Sequence, residues 1–211
     1  MTTIAKLVKD WETKNARSVA KASGISMMAL SLAACGGGGS APAPVVVVEV
    51  VPITSALTIW NDTVTGTTAD DVVTGARIDT VQVFNSGDSI VLGDGNDSLS
   101  ATLNAGTVTP VAMTGVENVM FTVLGDATVD FDNVSGVTSI ISRGSSATLL
   151  VDDIQEIPTS ISINNNTAVQ TFVIKDSAVS GASDSITLNF DGVGGVVNVG
   201  GETDGDGDIE T

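Results

Sequence analysis

The sequence predicts an all-β protein built as a parallel β-solenoid, in which each coil of short strands lies on the coil before it. From about residue 57, short runs rich in Val, Ile, Thr and Phe alternate with turns rich in Gly, Asp, Asn and Ser. No long segment has the apolar periodicity of a helix. Two-strand units also recur at a spacing near 21 residues, as expected for solenoid coils.

The repeat is clearest in the segments 116–136, 137–158 and 159–179, each with a strand, a polar turn and a second strand. We expect Ala127, Ala147 and Ala168 to open the second strands. One coil cannot bury its inward side chains alone, so the coils must stack. An antiparallel β-sandwich, whose strands recur every ~8–12 residues, is the alternative. The predicted inward row comprises Val119, Phe121, Val129, Phe131, Ile140, Leu149, Val151, Ile161, Ile163, Phe172 and Ile174.

The first 34 residues have the layout of a secretory signal, in which a basic segment precedes an apolar run over 25–34. We expect a signal helix over 1–34, followed by a disordered Gly/Ala/Pro tether over 35–52. The residues Leu32-Ala33-Ala34-Cys35 resemble the lipobox of bacterial lipoproteins. This resemblance implies that Cys35 is lipidated and that Gly36 directs the chain to the outer membrane. A cytoplasmic amphipathic helix that ends in cysteine is the alternative.

The charge and the amino-acid composition of the chain exclude several classes of binding partner and of chemistry. The formal net charge is −17, and residues 35–211 hold 23 acidic and 3 basic groups, a net −20. Such a surface repels nucleic acid and attracts divalent cations. The chain has no histidine, which removes the commonest general base, and its single cysteine excludes an intrachain disulfide.

Acidic turns follow one another along residues 53–114. The segment "NDTVTG" at 61–66 is repeated nine residues later as "DDVVTG", and "LGDGNDSL" follows at 92–99. This last segment resembles the RTX nonapeptide G-G-x-G-x-D-x-U-x, in which glycine turns and an aspartate complete a calcium shell. Together with "TGTTADDVVTG" and "GVENV", it is similar to calcium-dependent surface-layer and β-strand-repeat proteins of Gram-negative bacteria, especially alphaproteobacteria. In that family, calcium lies between successive coils, and the proteins form or decorate cell-surface lattices.

Calcium seeks six to eight oxygen ligands, and one acidic turn cannot supply them all. A neighbouring turn must contribute, and we expect Asp70 and Asp71 to do so, with Asp88 in reserve. The pair Asp152–Asp153 could add a surface ion site. The main candidate ligands are Gly93, Asp94, Gly95, Asn96 and Asp97.

These observations predict a non-catalytic, lipid-anchored structural protein of the cell surface, resembling surface-layer proteins and stabilised by calcium. The expected partners are the outer membrane, further copies of the chain and surface polysaccharide. An adhesin, or the stalk of a longer adhesin, is the alternative. A polysaccharide-active β-helix enzyme is disfavoured because Trp60 is the only tryptophan beyond the signal and tyrosine is absent. The segments "NDSLSATLN" and "SDSITLNF" resemble each other, so we expect residues 115–211 to be a strand-repeat region cut within an array.

Overall fold

The computed structural model describes residues 49–179 and 184–201, and in this part of the chain all regular structure is β. Every pairing between two strands is parallel, which confirms the β-solenoid and excludes the antiparallel sandwich. The strands form three sheets that run along the stack of coils. A coil enters one sheet, turns into the next, and returns to the first sheet one strand further along.

The largest sheet has seven strands and receives one strand from every coil. In stacking order it comprises β1 (Thr54–Ala56), β3 (Val72–Gly75), β5 (Ser98–Leu103), β8 (Asn118–Val123), β11 (Ser139–Arg143), β13 (Ser160–Asn164) and β15 (Thr187–Asp191). The five-stranded sheet comprises β6 (Gly106–Val108), β9 (Ala127–Asp130), β12 (Leu149–Ile154), β14 (Gln170–Ile174) and β16 (Val197–Gly201). The four-stranded sheet comprises β2 (Thr63–Thr65), β4 (Ser89–Val91), β7 (Ala112–Thr114) and β10 (Val134–Ser135).

The spacing between coils is read from residues that face each other in the seven-stranded sheet. Ser98, Asn118, Ser139 and Ser160 are paired at offsets of 20 or 21, close to the predicted period. The first coil is shorter, with Thr54 opposite Val72. The second coil is eight residues longer than the first, since Val72 lies opposite Ser98.

The additional residues of the second coil carry a small hairpin in which Ile78 and Val81 exchange both backbone hydrogen bonds. Just after this hairpin the chain turns inward and buries Phe84. The ring of Phe84 stacks on that of Phe121, with 6.4 Å between centroids. The insertion therefore fills the core of the early coils.

Burial follows the predicted alternation. All eleven residues of the predicted inward row are at most 5% exposed. Inward side chains of one coil rest on those of the next, because parallel pairing in register places them above one another. The interior of the described solenoid is therefore mainly aliphatic side chains and phenylalanine rings.

The predicted openings of the second strands are wrong for two coils. Ala127 opens β9, but β12 opens at Leu149 and β14 at Gln170, two residues after Ala147 and Ala168. The turn after β8 spans residues 124–126, whereas the turn after β11 spans residues 144–148. A shift by two residues preserves the face on which each side chain lies, which explains why the predicted inward row is still correct.

Polar side chains of the longer turns and of the strands beside them lie inside the solenoid, where they bond to one another. Ser142 donates to Oε1 of Gln170 at 2.7 Å, and Asn166 Nδ2 donates to Oγ of Ser142 at 2.8 Å. The N–H of Ser145 donates to Oδ1 of Asn166, and its hydroxyl accepts the N–H of Val123. These groups replace the water that the turn backbone has lost, which makes their burial tolerable.

We expect Phe121→Ala to lower the free energy of unfolding by about 3–5 kcal/mol, because the change leaves a cavity beneath Phe84. Met120→Ala, on the half-buried outward face of the same strand, is the matched control. Urea unfolding followed by circular dichroism measures both. Equal losses in the two variants would contradict the assignment of the inward face.

Candidate metal centre

Two turns that the sequence singled out lie directly against each other. The segment 66–71 joins β2 to β3, and the segment 92–97 joins β4 to β5 one coil later. A Cβ on Gly93 would be 2.7 Å from the carbonyl oxygen of Thr67, and one on Gly95 would be 2.7 Å from that of Ala69. Both glycines have positive φ, +98° and +141°. Only glycine permits this backbone conformation and this close approach together.

Asp71 is a buried carboxylate whose two oxygens are both used by the protein. Oδ1 accepts the N–H of Ile53 at 2.6 Å, and Oδ2 accepts the N–H of Thr67 at 2.5 Å. The hydroxyl of Thr67 adds further hydrogen bonds at 3.1 and 3.2 Å. Asp71 therefore ties its own turn to Ile53, the residue that precedes β1 in the coil before.

Asp97, directly above Asp71, is satisfied on one oxygen only. Its Oδ1 accepts the N–H of Asp71 at 2.7 Å, whereas its Oδ2 is buried and has no hydrogen-bond partner. The N–H of Asp97 in turn donates to Oε2 of Glu117 at 2.7 Å. We call this column of Asp71, Asp97 and Glu117 the acidic ladder, since the amides of Asp71 and Asp97 each donate to the carboxylate above.

Other predicted ligands border the acidic ladder. Asp70 is exposed, and its Oδ1 accepts the N–H of Asn96 at 2.9 Å. Oδ1 of Asn96 accepts from Nδ2 of Asn118 at 2.9 Å. Asp94 lies in the same turn with an exposed side chain. The stacking of coils therefore brings Asp70 and Asp71 against the turn 93–97.

The ladder environment disfavours the charged form of Asp97. Burial raises the pKa of Asp97 above its usual value of 3.8, and the negative charges of Asp71, Glu117 and Asp70 add to the rise. The hydrogen bond from the Asp71 amide opposes it. A cation beside Oδ2 would remove both causes of the rise, because it would solvate the free oxygen and neutralise the neighbouring carboxylates.

Asp88 lies elsewhere, in a second stack of turns. Its Oδ1 accepts the N–H of Asp62 at 2.9 Å, and its Oδ2 accepts the N–H of Asn85 at 2.8 Å. Asp62 accepts the N–H of Thr58 at 2.6 Å in the same way. The prediction that Asp88 is held in reserve for the turn 93–97 is therefore wrong, because its amide partners hold it in the other turn stack.

A further acidic group lies where β9 and β12 end. Carboxylate oxygens of Asp130, Asp132 and Asp153 lie within 4.8 Å of one another, and this group, the carboxylate triad, could hold a metal ion. The ammonium of Lys175 lies 3.1 Å from Asp132 and 3.8 Å from Asp153. Burial raises the pKa of the neighbouring Asp152, and the charge of Asp153 adds to the rise.

Sequence reasoning identifies only one member of the carboxylate triad. Asp153 is a candidate because it belongs to an Asp-Asp pair, whereas nothing in the sequence around Asp130 and Asp132 predicts an ion site. Parallel pairing places Asp130 opposite Asp152. Acidic residues spaced one coil apart in the sequence therefore indicate such a group. This spacing can be recognised only when the length of the coil at this point is known.

No known family model matches the sequence, and neither a curated protein nor a solved structure is significantly similar to it. In the part of the chain that the structure describes, no helix has the length and hydropathy of a membrane span. The proposed lipidation site, Cys35, and the predicted signal lie outside the described residues.

Without divalent cations, we expect the protein to become more stable as the pH falls from neutrality towards 3.8, the usual pKa of an aspartate. The pKa values of Asp88, Asp97 and Asp152 are raised, so these groups bind protons more readily in the folded chain than in the unfolded chain. Their stabilising contribution is complete below the unfolded pKa and is lost as the pH rises through the folded pKa.

Urea unfolding in EDTA at several pH values measures this slope. Asp97→Asn should make the slope shallower, whereas Asp79→Asn removes the same charge from an exposed turn and should leave it nearly unchanged. A free energy of unfolding that falls steadily as the pH is lowered from neutrality towards 3.8 would refute the expectation.

Proposed function

We propose that the chain is a non-catalytic, lipid-anchored structural protein of the cell surface, resembling surface-layer proteins, whose early coils bind calcium. The observation that carries the calcium part is the buried, unpartnered Oδ2 of Asp97. A buried carboxylate oxygen without a donor is costly, and a cation beside it would offset that cost. The acidic surroundings favour a cation as the missing partner.

The chemistry of the surrounding donors suits calcium. Carboxylate oxygens of Asp97, Asp70 and Glu117 belong to neighbouring coils, and backbone carbonyls of Thr67 and Ala69 face the glycine turn. Calcium is a hard ion that accepts many oxygen ligands in irregular geometry. Asp71 has a different role in this proposal, because amide and hydroxyl donors already occupy both of its oxygens.

Charge gives calcium a structural role. The stacking of coils brings like-charged residues within one coil spacing of each other, and residues 35–211 carry a net −20. Self-repulsion opposes the compact state, and a cation bound only by the folded chain stabilises it. Bound calcium would hold the first three coils in register. The solenoid would then present a rigid surface.

Attachment to the outer membrane rests on the sequence around Cys35. A lipid on this cysteine would leave the tether 36–52 to join the membrane to the solenoid. The non-catalytic assignment rests on the absence of histidine and tyrosine from the chain and on an interior in which most of the described side chains are apolar. An adhesin is the second candidate, favoured by apolar side chains left uncovered at the last described coil.

We expect calcium to stabilise the protein and Asp97→Asn to abolish the effect. For a dissociation constant on the order of 10⁻⁴–10⁻³ M, ~10 mM calcium adds about 1.4–2.7 kcal/mol to the free energy of unfolding. Thermal unfolding in EDTA and in calcium measures the gain. Asp79→Asn is the charge-matched control and should keep the full gain.

Asp132→Asn distinguishes the two acidic groups in the same experiment. If Asp132→Asn removes the gain and Asp97→Asn does not, the ion binds at the carboxylate triad rather than at the acidic ladder. An unchanged melting temperature in the unmodified chain would eliminate calcium from the proposal altogether.

Lipidation of Cys35 is tested by expressing the full chain in a Gram-negative host. We expect mass spectrometry to find an N-terminal peptide that starts at Cys35 and carries acyl chains. Cys35→Ser should abolish acylation and release the chain from the membrane fraction. A mature protein with an intact, unacylated Met1 would disprove the anchor.

A further inference from the structure

Two turns of the early coils share one set of hydrogen bonds around an aspartate. In each turn a threonine lies four residues before the aspartate, Thr58 before Asp62 and Thr67 before Asp71. The threonine N–H donates to Oδ2 of the aspartate, at 2.6 Å in the first turn and 2.5 Å in the second. In both turns the hydroxyl lies 3.1 Å from Oδ1 and 3.2 Å from Oδ2. We call residues 58–62 and 67–71 the closed turns.

The threonine hydroxyl also holds the backbone of each closed turn. Thr58 accepts the N–H of Trp60 at 3.2 Å, and Thr67 accepts the N–H of Ala69 at 3.1 Å. A threonine at this position therefore supplies two donors to the carboxylate and one acceptor to the turn. The closed turns satisfy their aspartates with groups of the chain itself.

The turn 93–97 has no threonine at the corresponding position. The connections 66–71 and 92–97 both contain six residues between their strands. Gly93 lies four residues before Asp97, and its φ of +98° is a backbone conformation that a β-branched residue does not favour. Oδ2 of Asp97, which corresponds to the capped Oδ2 of Asp71, is buried and has no donor.

We propose that the residue four positions before the aspartate determines where the acidic ladder binds a cation. Thr67 takes the place of the ion at Asp71, so the ladder holds a single ion, at Asp97. This inference rests on the proposed function, because it assigns the position of the calcium ion proposed there. Thr67 and Gly93 are its positioning residues.

The physical reason is that a hydrogen-bond donor and a cation compete for the same lone pairs of a carboxylate oxygen. An ion at Oδ2 of Asp71 would have to displace the amide and hydroxyl of Thr67, which would leave two donors unsatisfied. An ion at Oδ2 of Asp97 displaces no donor of the chain. The close approach of Gly95 to the carbonyl oxygen of Ala69 adds an oxygen of the kind that calcium binds.

Transplanting a closed turn into the full chain tests this inference at constant charge. The transplanted variant rewrites residues 93–97 with the sequence of residues 67–71, so that two carboxylates remain. It carries Gly93→Thr, Asp94→Thr, Gly95→Ala and Asn96→Asp. We expect its melting temperature in EDTA to exceed that of the unmodified chain, because the new threonine supplies the missing donor.

Calorimetric titration with calcium chloride should show that the transplanted variant binds one ion per chain fewer than the unmodified chain. The loss of metal ligands alone would also reduce the number of ions, but it would not raise the melting temperature in EDTA. The two measurements together therefore separate a threonine that replaces the ion from a site that has merely been destroyed.

Thr67→Gly makes the reverse change in the acidic ladder. It removes the hydroxyl from Asp71 and opens space beside Oδ2, so we expect one more calcium ion per chain than in the unmodified protein. Thr58→Gly is the matched control in the other closed turn. There the hydrogen bonds to Asp62 are exposed, so water can replace the lost donor and the number of ions should not change. Both variants should melt at a lower temperature in EDTA, so only the ion count separates them.

Two outcomes would overturn the inference. The first is a folded transplanted variant whose melting temperature in EDTA is no higher than that of the unmodified chain. The second is a Thr67→Gly chain that binds no additional ion, and this count decides alone if circular dichroism shows that the transplanted variant does not fold. An unmodified chain that binds no calcium would instead overturn the proposed function. The melting temperature of the transplanted variant in EDTA then still shows whether a threonine satisfies Asp97.

Discussion

The parallel hydrogen bonding of one coil on the next is the constraint on which the rest of this structure depends. Each coil is too small to bury its inward side chains alone, so the coils are stable only as a stack. In-register pairing places like residues above one another and converts a sequence period into a continuous column. Columns of this kind form the core through Ile140 and Ile161, and they form the acidic ladder through Asp71 and Asp97.

Stacking side chains in columns buries them, which stabilises the fold where the side chains are apolar and destabilises it where they are acidic. The solenoid reduces that cost by turning backbone amides towards the carboxylates, as at Asp71, where donors reach both oxygens. Asp97 departs from this pattern because its Oδ2 has no donor. Asp71 and Asp97 therefore differ in chemistry. Asp71 is a structural hydrogen-bond acceptor, while Asp97 is the residue at which a proton or a metal ion would stabilise the fold.

Stacking also distinguishes the two ends of the described solenoid from its interior. Every interior coil is covered on both sides, but a terminal coil exposes whatever its inward row contains. In the last described coil that row holds Leu188 and Phe190, and both side chains are exposed.

The sequence by itself determined the all-β class and the eleven inward residues, because a two-residue alternation and a 21-residue period are local patterns. It favoured parallel stacking, but only the strand pairings of the structure excluded the antiparallel sandwich. It also indicated that the turn 93–97 needs a neighbouring turn. Only the tertiary structure decided which strand openings face each other, that Asp88 lies in a different turn stack, and that Asp130 approaches Asp153. The physical reason is that turn lengths vary between coils, so contacts across coils depend on register.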